Sequence, residues 1–337
     1  FYSSIKAFHL ANRNRFQYRP FSMVATATHD HKRGEDMRAR LSVISEIPEV
    51  WREWVLRVRE LTNALVTTNE GEEVPSRNDQ YFALQTIVGS WSPELRGPDF
   101  SGIDDFAERI VSYMVKAARE AKVATSWTAP DESYEAALEE YVRAILNPAR
   151  SGTILKTLHQ IVERLEIPGV VNALSQKLLH LTAPGVPDIY QGTEFWDFSL
   201  VDPDNRRAVD FERRRTQLAT LDPSVETCKN ALAAWRAGLP KQLVVSAALG
   251  LRKRYPDLFA GGEYTPLETS GDQREHVIAF ARTLGETTAV TVVPRNVAAV
   301  ARADAPVWID DLASTVEIEL PSGRPFTNVL TGRAVAP

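Results

Sequence analysis

The sequence predicts a mixed α/β protein with a helical middle and a β-rich tail. Two short apolar runs, 23–28 and 186–190, each change abruptly to polar residues, as buried parallel strands do at an edge that carries an active site. Between them, from about 42 to 170, apolar residues recur every three or four positions, which is typical of amphipathic helices. Near the end of the chain the period changes to two, which indicates strands.

Local patterns place the individual elements. A helical period covers 36–65, and Pro48 predicts a break between two helices there. Further apolar stripes predict helices at 103–121, 134–145, 154–165 and 212–255. The Gly- and Pro-bearing stretches 69–76 and 92–102 are predicted to be loops. Strands are predicted from β-branched residues at 289–293 and from alternation at 316–320.

Composition and charge limit the range of functions to be considered. The chain has 337 residues, 44% of them hydrophobic, which is enough for two or three cores. Its formal net charge of −5 supplies no basic excess to neutralise phosphates, so nucleic acid is not the expected partner. The single cysteine, Cys228, cannot form an internal disulfide and is expected to be a small core residue rather than a nucleophile.

The sequence also bears on location and completeness. Nothing in it resembles a signal peptide or an apolar run of membrane-spanning length, so we expect the cytoplasm and no membrane partner. The first residue is Phe1 rather than methionine, and no start-like segment follows it. This predicts that the chain is a piece of a longer protein.

Two polar segments are candidates for chemistry. In the first, 28–36, seven of nine residues are ionisable, although a solvated helix start explains part of that density. His29 and His31 could form a metal-binding i, i+2 pair there, but no third ligand is evident. The second comprises 185–194 and 202–207, where Asp and Arg side chains suit sugar hydroxyls or, equally, an internal network that fixes the loop. The sequence contains no phosphate-binding, dinucleotide-binding, GxSxG or CxxC motif.

Longer strings carry a resemblance to a known family. A strand that ends in His29-Asp30 and a later one that continues into GVPDIYQGTE resemble the seventh and eighth strand ends of the α-amylase superfamily barrel. More specifically, the chain is similar to maltooligosyl trehalose synthases in ATATHDHKRGEDMRAR, NDQYFALQTIVGSW, YMVKAAREAKVATSW and GTEFWDFSLVDPDNRRAVDF. The tail strings LRKRYPDLFAGGEYTPLE and EHVIAFAR resemble that family's C-terminal β domain. His31 and Ala208 depart from the family pattern, which has Thr and Pro there.

The resemblance implies an architecture. It is the C-terminal part of a (β/α)8 barrel with a large helical insertion and a C-terminal antiparallel β-sandwich domain. The implied segments are a barrel segment that ends at the His-Asp pair, 1–41; the helical insertion, 42–170; the last barrel strand with a substrate loop and helices, 171–255; and the β-sandwich domain, 256–337.

The resemblance also implies an activity, intramolecular transglucosylation that converts the reducing-end α-1,4 linkage of a maltooligosaccharide to an α,α-1,1 (trehalose) linkage. A retaining mechanism needs two carboxylates, a nucleophile and an acid/base. Both are implied to lie upstream, so this chain is expected to need the N-terminal barrel part of the same enzyme and to be inactive alone. Asp30 maps onto the third carboxylate, which stabilises an oxocarbenium-like transition state. Sugar contacts are predicted for His29, Lys32, Asp204 and Arg206.

Other interpretations stay open at this point. A related α-glucan hydrolase or 4-α-glucanotransferase would share His29-Asp30, and the chain could instead be an inactive carbohydrate-binding fragment. Phe195 or Trp196 could stack on a sugar ring, although buried packing explains either equally well. The residues present require no metal or organic cofactor.

Overall fold

The structure is a computed structural model that describes residues 4–69, 71–96, 100–299, 316–320 and 325–335. In chain order the helices are α1 (Ile5–Tyr18), α2 (Glu35–Ser42), α3 (Pro48–Thr62), α4 (Arg77–Ser90), α5 (Ile103–Ala121), α6 (Glu132–Leu146), α7 (Pro148–Thr182), α8 (Phe211–Leu218), α9 (Val225–Ala233), α10 (Leu239–Arg254) and α11 (Pro256–Gly261). The strands are β1 (Met23–Ala25), β2 (Thr67–Asn69), β3 (Glu72–Val74), β4 (Val186–Asp188), β5 (Glu263–Pro266), β6 (Thr269–Ser270), β7 (Val277–Leu284), β8 (Thr287–Pro294), β9 (Glu317–Ile318), β10 (Phe326–Thr327) and β11 (Ala334–Val335).

The chain divides into two compact units. Unit 1 comprises Phe1–Thr28, Ile167–Asp197 and Ala208–Pro337. Unit 2 comprises His29–Glu166 and Phe198–Arg207. All five residues that the sequence assigns to the site therefore belong to unit 2.

Helix α5 shows how the apolar period becomes the packed face of unit 2. Its buried stripe consists of Ile103, Phe106, Ile110, Met114 and Ala118. Steps of three and four bring these side chains to one face of the helix. The helix ends at Lys122, whose left-handed backbone (φ 57°) lets its N–H bond the Ala118 carbonyl. The predicted helix at 103–121 is confirmed, as are the predicted break at Pro48 and the helix over 134–145.

A hairpin occupies part of the stretch 69–76, so the prediction of a loop there is wrong in part. Strands β2 and β3 pair antiparallel, with Thr67 opposite Val74 and Asn69 opposite Glu72. Gly71 in the turn has a φ of +87°, a conformation that glycine adopts without strain. Short strands of polar residues leave little apolar alternation, which is why the sequence does not reveal them.

Buried Arg40 on α2 closes the C-terminal end of α4. Its guanidinium donates to the carbonyl oxygens of Val88, Gly89 and Trp91 at 3.2, 3.1 and 2.7 Å, and it lies 4.0 Å from the centre of the Phe198 ring. Burial lowers the pKa of Arg40 to about 10, so the side chain stays charged at neutral pH. This contact fixes α2, which directly follows the His29-Asp30 turn, and the start of the 198–207 segment.

In unit 1, β1 and β4 form a two-stranded parallel sheet. Met23 lies opposite Val186 and Ala25 opposite Asp188. The prediction that the first strand is buried is wrong, because the Met23 residue is 72% exposed. Among the described residues no third strand pairs with this sheet, so its apolar side chains have few neighbours to pack against.

The β-rich tail of unit 1 centres on a three-stranded antiparallel sheet in the order β5-β7-β8. The predicted strand at 289–293 lies within β8, and that at 316–320 is reduced to β9, which pairs with β6. The predicted helical stretch 212–255 is resolved into α8, α9 and α10. Residues 300–315, 321–324 and 336–337 of the predicted domain 256–337 lie outside the described residues, and the β-sandwich stays a prediction.

Candidate functional site

A turn between β1 and α2 carries the His29-Asp30 pair. The Nε2 atom of His29 lies 3.3 Å from Oδ2 of Asp30, and the Asp30 side chain is 84% exposed. The carbonyl oxygen of His29 accepts a hydrogen bond of 2.8 Å from the Asn205 side chain. The turn is thus fastened to the segment 198–207, with its carboxylate open to solvent.

The segment 198–207 is held by a salt bridge to α5. Arg109 donates from Nε and Nη2 to the two Asp204 carboxylate oxygens at 2.8 and 2.9 Å, and Asp204 also accepts from the Leu200 N–H at 2.8 Å. Burial is the largest single effect on Asp204 and by itself would raise its pKa. The hydrogen bonds and positive charge of Arg109, the Leu200 N–H and the charge of Arg207 together outweigh burial, so the pKa is lowered. A sugar contact by Asp204 stays a prediction, and its oxygens already have these partners.

Two further contacts align this segment with the residues after the turn. The Gly34 N–H donates to the Ser199 carbonyl at 2.8 Å, and Arg33 forms an antiparallel bridge with Leu200. Exposed Arg206 pairs with Asp202 at 2.9 Å within the same segment. Within unit 2 the structure therefore brings the first predicted polar segment, 28–36, to the 202–207 part of the second, through Asn205 and the neighbouring residues 199–200. The other part, 185–194, belongs to unit 1.

Lys32 points to the C-terminal end of α5. Its Nζ lies 2.8 Å from Oε2 of Glu120, and both side chains are partly exposed. The hydrogen bond to Glu120 raises the pKa of Lys32, and the negative charge of Asp30 acts in the same direction. A lysine ammonium has three N–H donors, so Lys32 can keep the bond to Glu120 and still donate to a sugar hydroxyl.

Three further ionisable residues of the stretch 28–36, His31, Glu35 and Asp36, are governed by burial and by neighbouring charges. Glu35 and Asp36 are buried in the first turn of α2, where the helix dipole stabilises negative charge. Burial and the Arg38 guanidinium lower the pKa of His31, against the opposing effect of Glu35 and Asp30. In the part of the chain that the structure describes, no three His, Cys, Asp or Glu side chains cluster to hold a metal ion.

The aromatic residues considered for sugar stacking pack inside unit 1. Phe195 is buried, with the Arg214 guanidinium 4.6 Å from its ring centre. The indole of Trp196 donates to the Trp235 carbonyl at 2.6 Å and packs on a cluster that contains Trp235. Of the two interpretations that the sequence left open, the contacts favour packing.

Cys228 is only partly buried, and its Sγ lies 3.3 Å from the Leu330 carbonyl.

Three residues that shape the candidate site are not evident from the sequence. Arg109 and Glu120 lie on α5, 95 and 88 residues away from their partners Asp204 and Lys32, so no local pattern connects them. Asn205 lies within the string GTEFWDFSLVDPDNRRAVDF, where a side-chain amide between Asp204 and Arg206 is a usable signal for a positioning residue. Each of these three side chains holds a residue for which a sugar contact is predicted: Asp204, Lys32 and His29.

Known proteins match this chain over most of its length. A protein of Mycobacterium tuberculosis (strain CDC 1551 / Oshkosh) that carries the name maltooligosyl trehalose synthase is 36% identical over 281 residues, which are 82% of this chain and 31% of that protein. The maltooligosyltrehalose synthase structure from Arthrobacter ramosus matches with a TM-score of 0.78 and 34% identity, covering 100% of this chain and 39% of that one. The resemblance to the maltooligosyl trehalose synthases is confirmed. A further maltooligosyl trehalose synthase crystal structure gives a TM-score of 0.77 at 30% identity, over 99% of this chain and 40% of that one.

The chain spans about a third of the length of the curated maltooligosyl trehalose synthases that it matches. In the matched part it shares the fold of the solved maltooligosyl trehalose synthase structures, rich in helices with several small sheets. No family model matches the chain. Within the described ranges, every helix is too short or too polar to cross a membrane.

Proposed function

We propose that this chain is the part of a maltooligosyl trehalose synthase that supplies Asp30 to the reacting sugar. The enzyme would convert the reducing-end α-1,4 linkage of a maltooligosaccharide to an α,α-1,1 linkage. One observation carries the proposal: the Asp30 carboxylate is open to solvent, in a turn that Asn205 fastens from the segment 198–207. An exposed carboxylate on a fixed turn can approach a substrate without moving the chain.

Charge defines the role of Asp30 in this proposal. Positive charge develops at the anomeric carbon and ring oxygen in an oxocarbenium-like transition state. A fixed carboxylate nearby stabilises that charge more than it stabilises the neutral ground state, so it raises the rate rather than the affinity. His29 would donate to the same sugar, and Lys32 and Arg206 would bind hydroxyls around it. Asp204 would hold the loop through Arg109 and could contact the sugar only by sharing an oxygen.

The nucleophile and the acid/base are proposed to lie in a part of the enzyme outside these 337 residues. The share of the relatives' length that the chain spans supports this view. So does the parallel pair β1–β4, whose exposed Met23 and Val186 present apolar surface to further strands. We propose that β1 and β4 are barrel strands and that the missing strands complete the sheet. The division into segments 1–41, 42–170, 171–255 and 256–337 is part of the same proposal.

A product assay tests the activity. The complete enzyme with maltopentaose is expected to form trehalose-capped oligosaccharides, whereas the 337-residue chain alone is expected to give no turnover. Free glucose or longer glucans as the main products of the complete enzyme would favour the hydrolase or 4-α-glucanotransferase instead. Trehalose formation by the chain alone would show that the nucleophile lies within it.

Lys32→Met tests the predicted sugar contact. In the complete enzyme we expect kcat/KM to fall about tenfold, since one charge-assisted hydrogen bond is lost. The melting temperature should hardly change, because the Lys32–Glu120 pair is partly exposed and such pairs contribute little to stability. Lys156→Met, on the exposed surface of α7, is the matched control. Equal kinetics for the two variants would exclude Lys32 from substrate binding.

A further inference from the structure

An exposed tryptophan lies at the same end of α5 as Lys32. Trp127, in the loop between α5 and α6, is 56% exposed, although large aromatic side chains are normally buried. The Arg119 guanidinium lies 4.9 Å from the centre of its ring. One face of the indole is therefore covered by the Arg119 guanidinium, and much of the remaining indole surface is exposed to solvent.

Consecutive residues of α5 connect Trp127 with the Asp30 turn. Arg119 contacts Trp127, and the next residue, Glu120, binds Lys32, two positions after Asp30. Consecutive Cα atoms are about 3.8 Å apart, so both groups are held at one helix end.

The loop that carries Trp127 is fixed before any ligand binds. Arg119 donates to both Glu135 carboxylate oxygens at 2.8 and 2.6 Å, and the Thr125 hydroxyl donates to the same carboxylate at 2.6 Å. The hydrogen bonds from Arg119 lower the pKa of Glu135 to about 2, so this pair remains ionised at neutral pH. The Ser126 side chain and backbone close a turn with Ala129. A fixed ring loses little conformational freedom when it binds.

We propose that Trp127 forms a stacking platform for a glucosyl unit of an α-glucan that extends from the Asp30 turn. This inference rests on the proposed function. The apolar C–H face of a pyranose suits an indole face, and the hydroxyl-bearing neighbours Ser126 and Thr128 are neutral, as a neutral sugar requires. The platform would give long maltooligosaccharides a contact that short ones cannot reach.

Binding to the 337-residue chain tests the proposal directly. Isotope-labelled chain is titrated with maltoheptaose and with maltotriose, and the indole N–H resonances are followed by NMR. Trp127→Phe identifies the Trp127 resonance by its disappearance. We expect maltoheptaose to shift that resonance, and Trp127→Ala to weaken maltoheptaose binding by about fivefold with a smaller effect on maltotriose. Trp127→Phe, which keeps an aromatic face, should bind maltoheptaose within about twofold of the unchanged chain.

Val123→Ala is the matched control, because Val123 lies exposed in the same loop but carries no aromatic ring. It should bind both sugars like the unchanged chain. Equal maltoheptaose affinity in Trp127→Ala and the unchanged chain would overturn the platform and leave the proposed function intact. Maltoheptaose binding through Trp127 together with a normal rate for Asp30→Asn would support the platform and overturn the proposed role of Asp30. Failure of both sugars to bind would overturn the platform as well.

Discussion

Asp30→Asn is expected to lower kcat of the complete enzyme about a thousandfold or more while leaving its thermal unfolding unchanged. Asparagine keeps the size and one acceptor oxygen of aspartate but removes the negative charge. That charge would act on the transition state, so the loss should appear in kcat and only weakly in KM. The fold should tolerate the change, because the Asp30 side chain is 84% exposed and the turn is fastened through the His29 backbone instead.

Glu53→Gln is the control for Asp30→Asn, since it removes one exposed carboxylate from α3 of the same unit. Its rate and melting temperature should match those of the unchanged enzyme. A rate for Asp30→Asn within about tenfold of normal would remove Asp30 from the transition state. A large loss of melting temperature would instead assign Asp30 a structural role.

The helices and the strand signals of this chain could be predicted because their causes are local. The stripe along α5 and the break at Pro48 follow from spacing and from the missing N–H of proline, and neither depends on distant residues. The exposure of β1 could not be predicted in this way. An apolar run such as that around Met23 indicates a strand, but whether it is covered depends on which other strands lie beside it.

In the candidate site, too, some residues are predicted by local sequence and others are placed only by packing. His29, Asp30 and Lys32 belong to a dense polar run that follows an apolar strand, and the resemblance predicts their roles. The residues that hold Asp204 and Lys32 cannot be identified from the sequence, because only packing brings Arg109 to Asp204 and Glu120 to Lys32 across about 90 residues. Trp127, which we propose as a stacking platform, lies within the string YMVKAAREAKVATSW, yet its exposure is evident only from the structure.

Asp204→Asn should destabilise the chain by about 3 kcal/mol at neutral pH, because it leaves the Arg109 guanidinium without its partner charge. The side chains of Asp204 and Arg109 are only 13% and 21% exposed, so water replaces the lost interaction incompletely. Urea unfolding of the 337-residue chain measures the change. Asp202→Asn is the matched control: its pair with Arg206 is exposed, and the expected loss is below about 1 kcal/mol.

The pH dependence of that difference follows from the lowered pKa of Asp204. The unfolded carboxyl titrates near the ordinary value of 3.8, and the folded one titrates below it. Ionised Asp204 therefore contributes its full stabilisation above pH 3.8, and the contribution is lost as the pH falls through the folded pKa. The difference between Asp204→Asn and the unchanged chain should be constant from pH 7 to pH 5 and should decrease at pH 3. A difference that is the same at all three pH values would exclude the charged pair as its cause.

Kinetic measurements on Asp204→Asn distinguish the two roles considered for Asp204, positioning of the segment 198–207 and direct contact with the sugar. Asn205, the next residue, donates to the His29 carbonyl, so a loosened segment would also release the turn that carries Asp30. A positioning role therefore predicts that activity and stability fall together and that Arg109→Lys, which keeps the charge but loses the two-pronged geometry, gives an intermediate loss of both. A direct sugar contact predicts a raised KM in Asp204→Asn and a normal KM in Arg109→Lys. Since both Asp204 oxygens already accept hydrogen bonds from Arg109, we expect the first result.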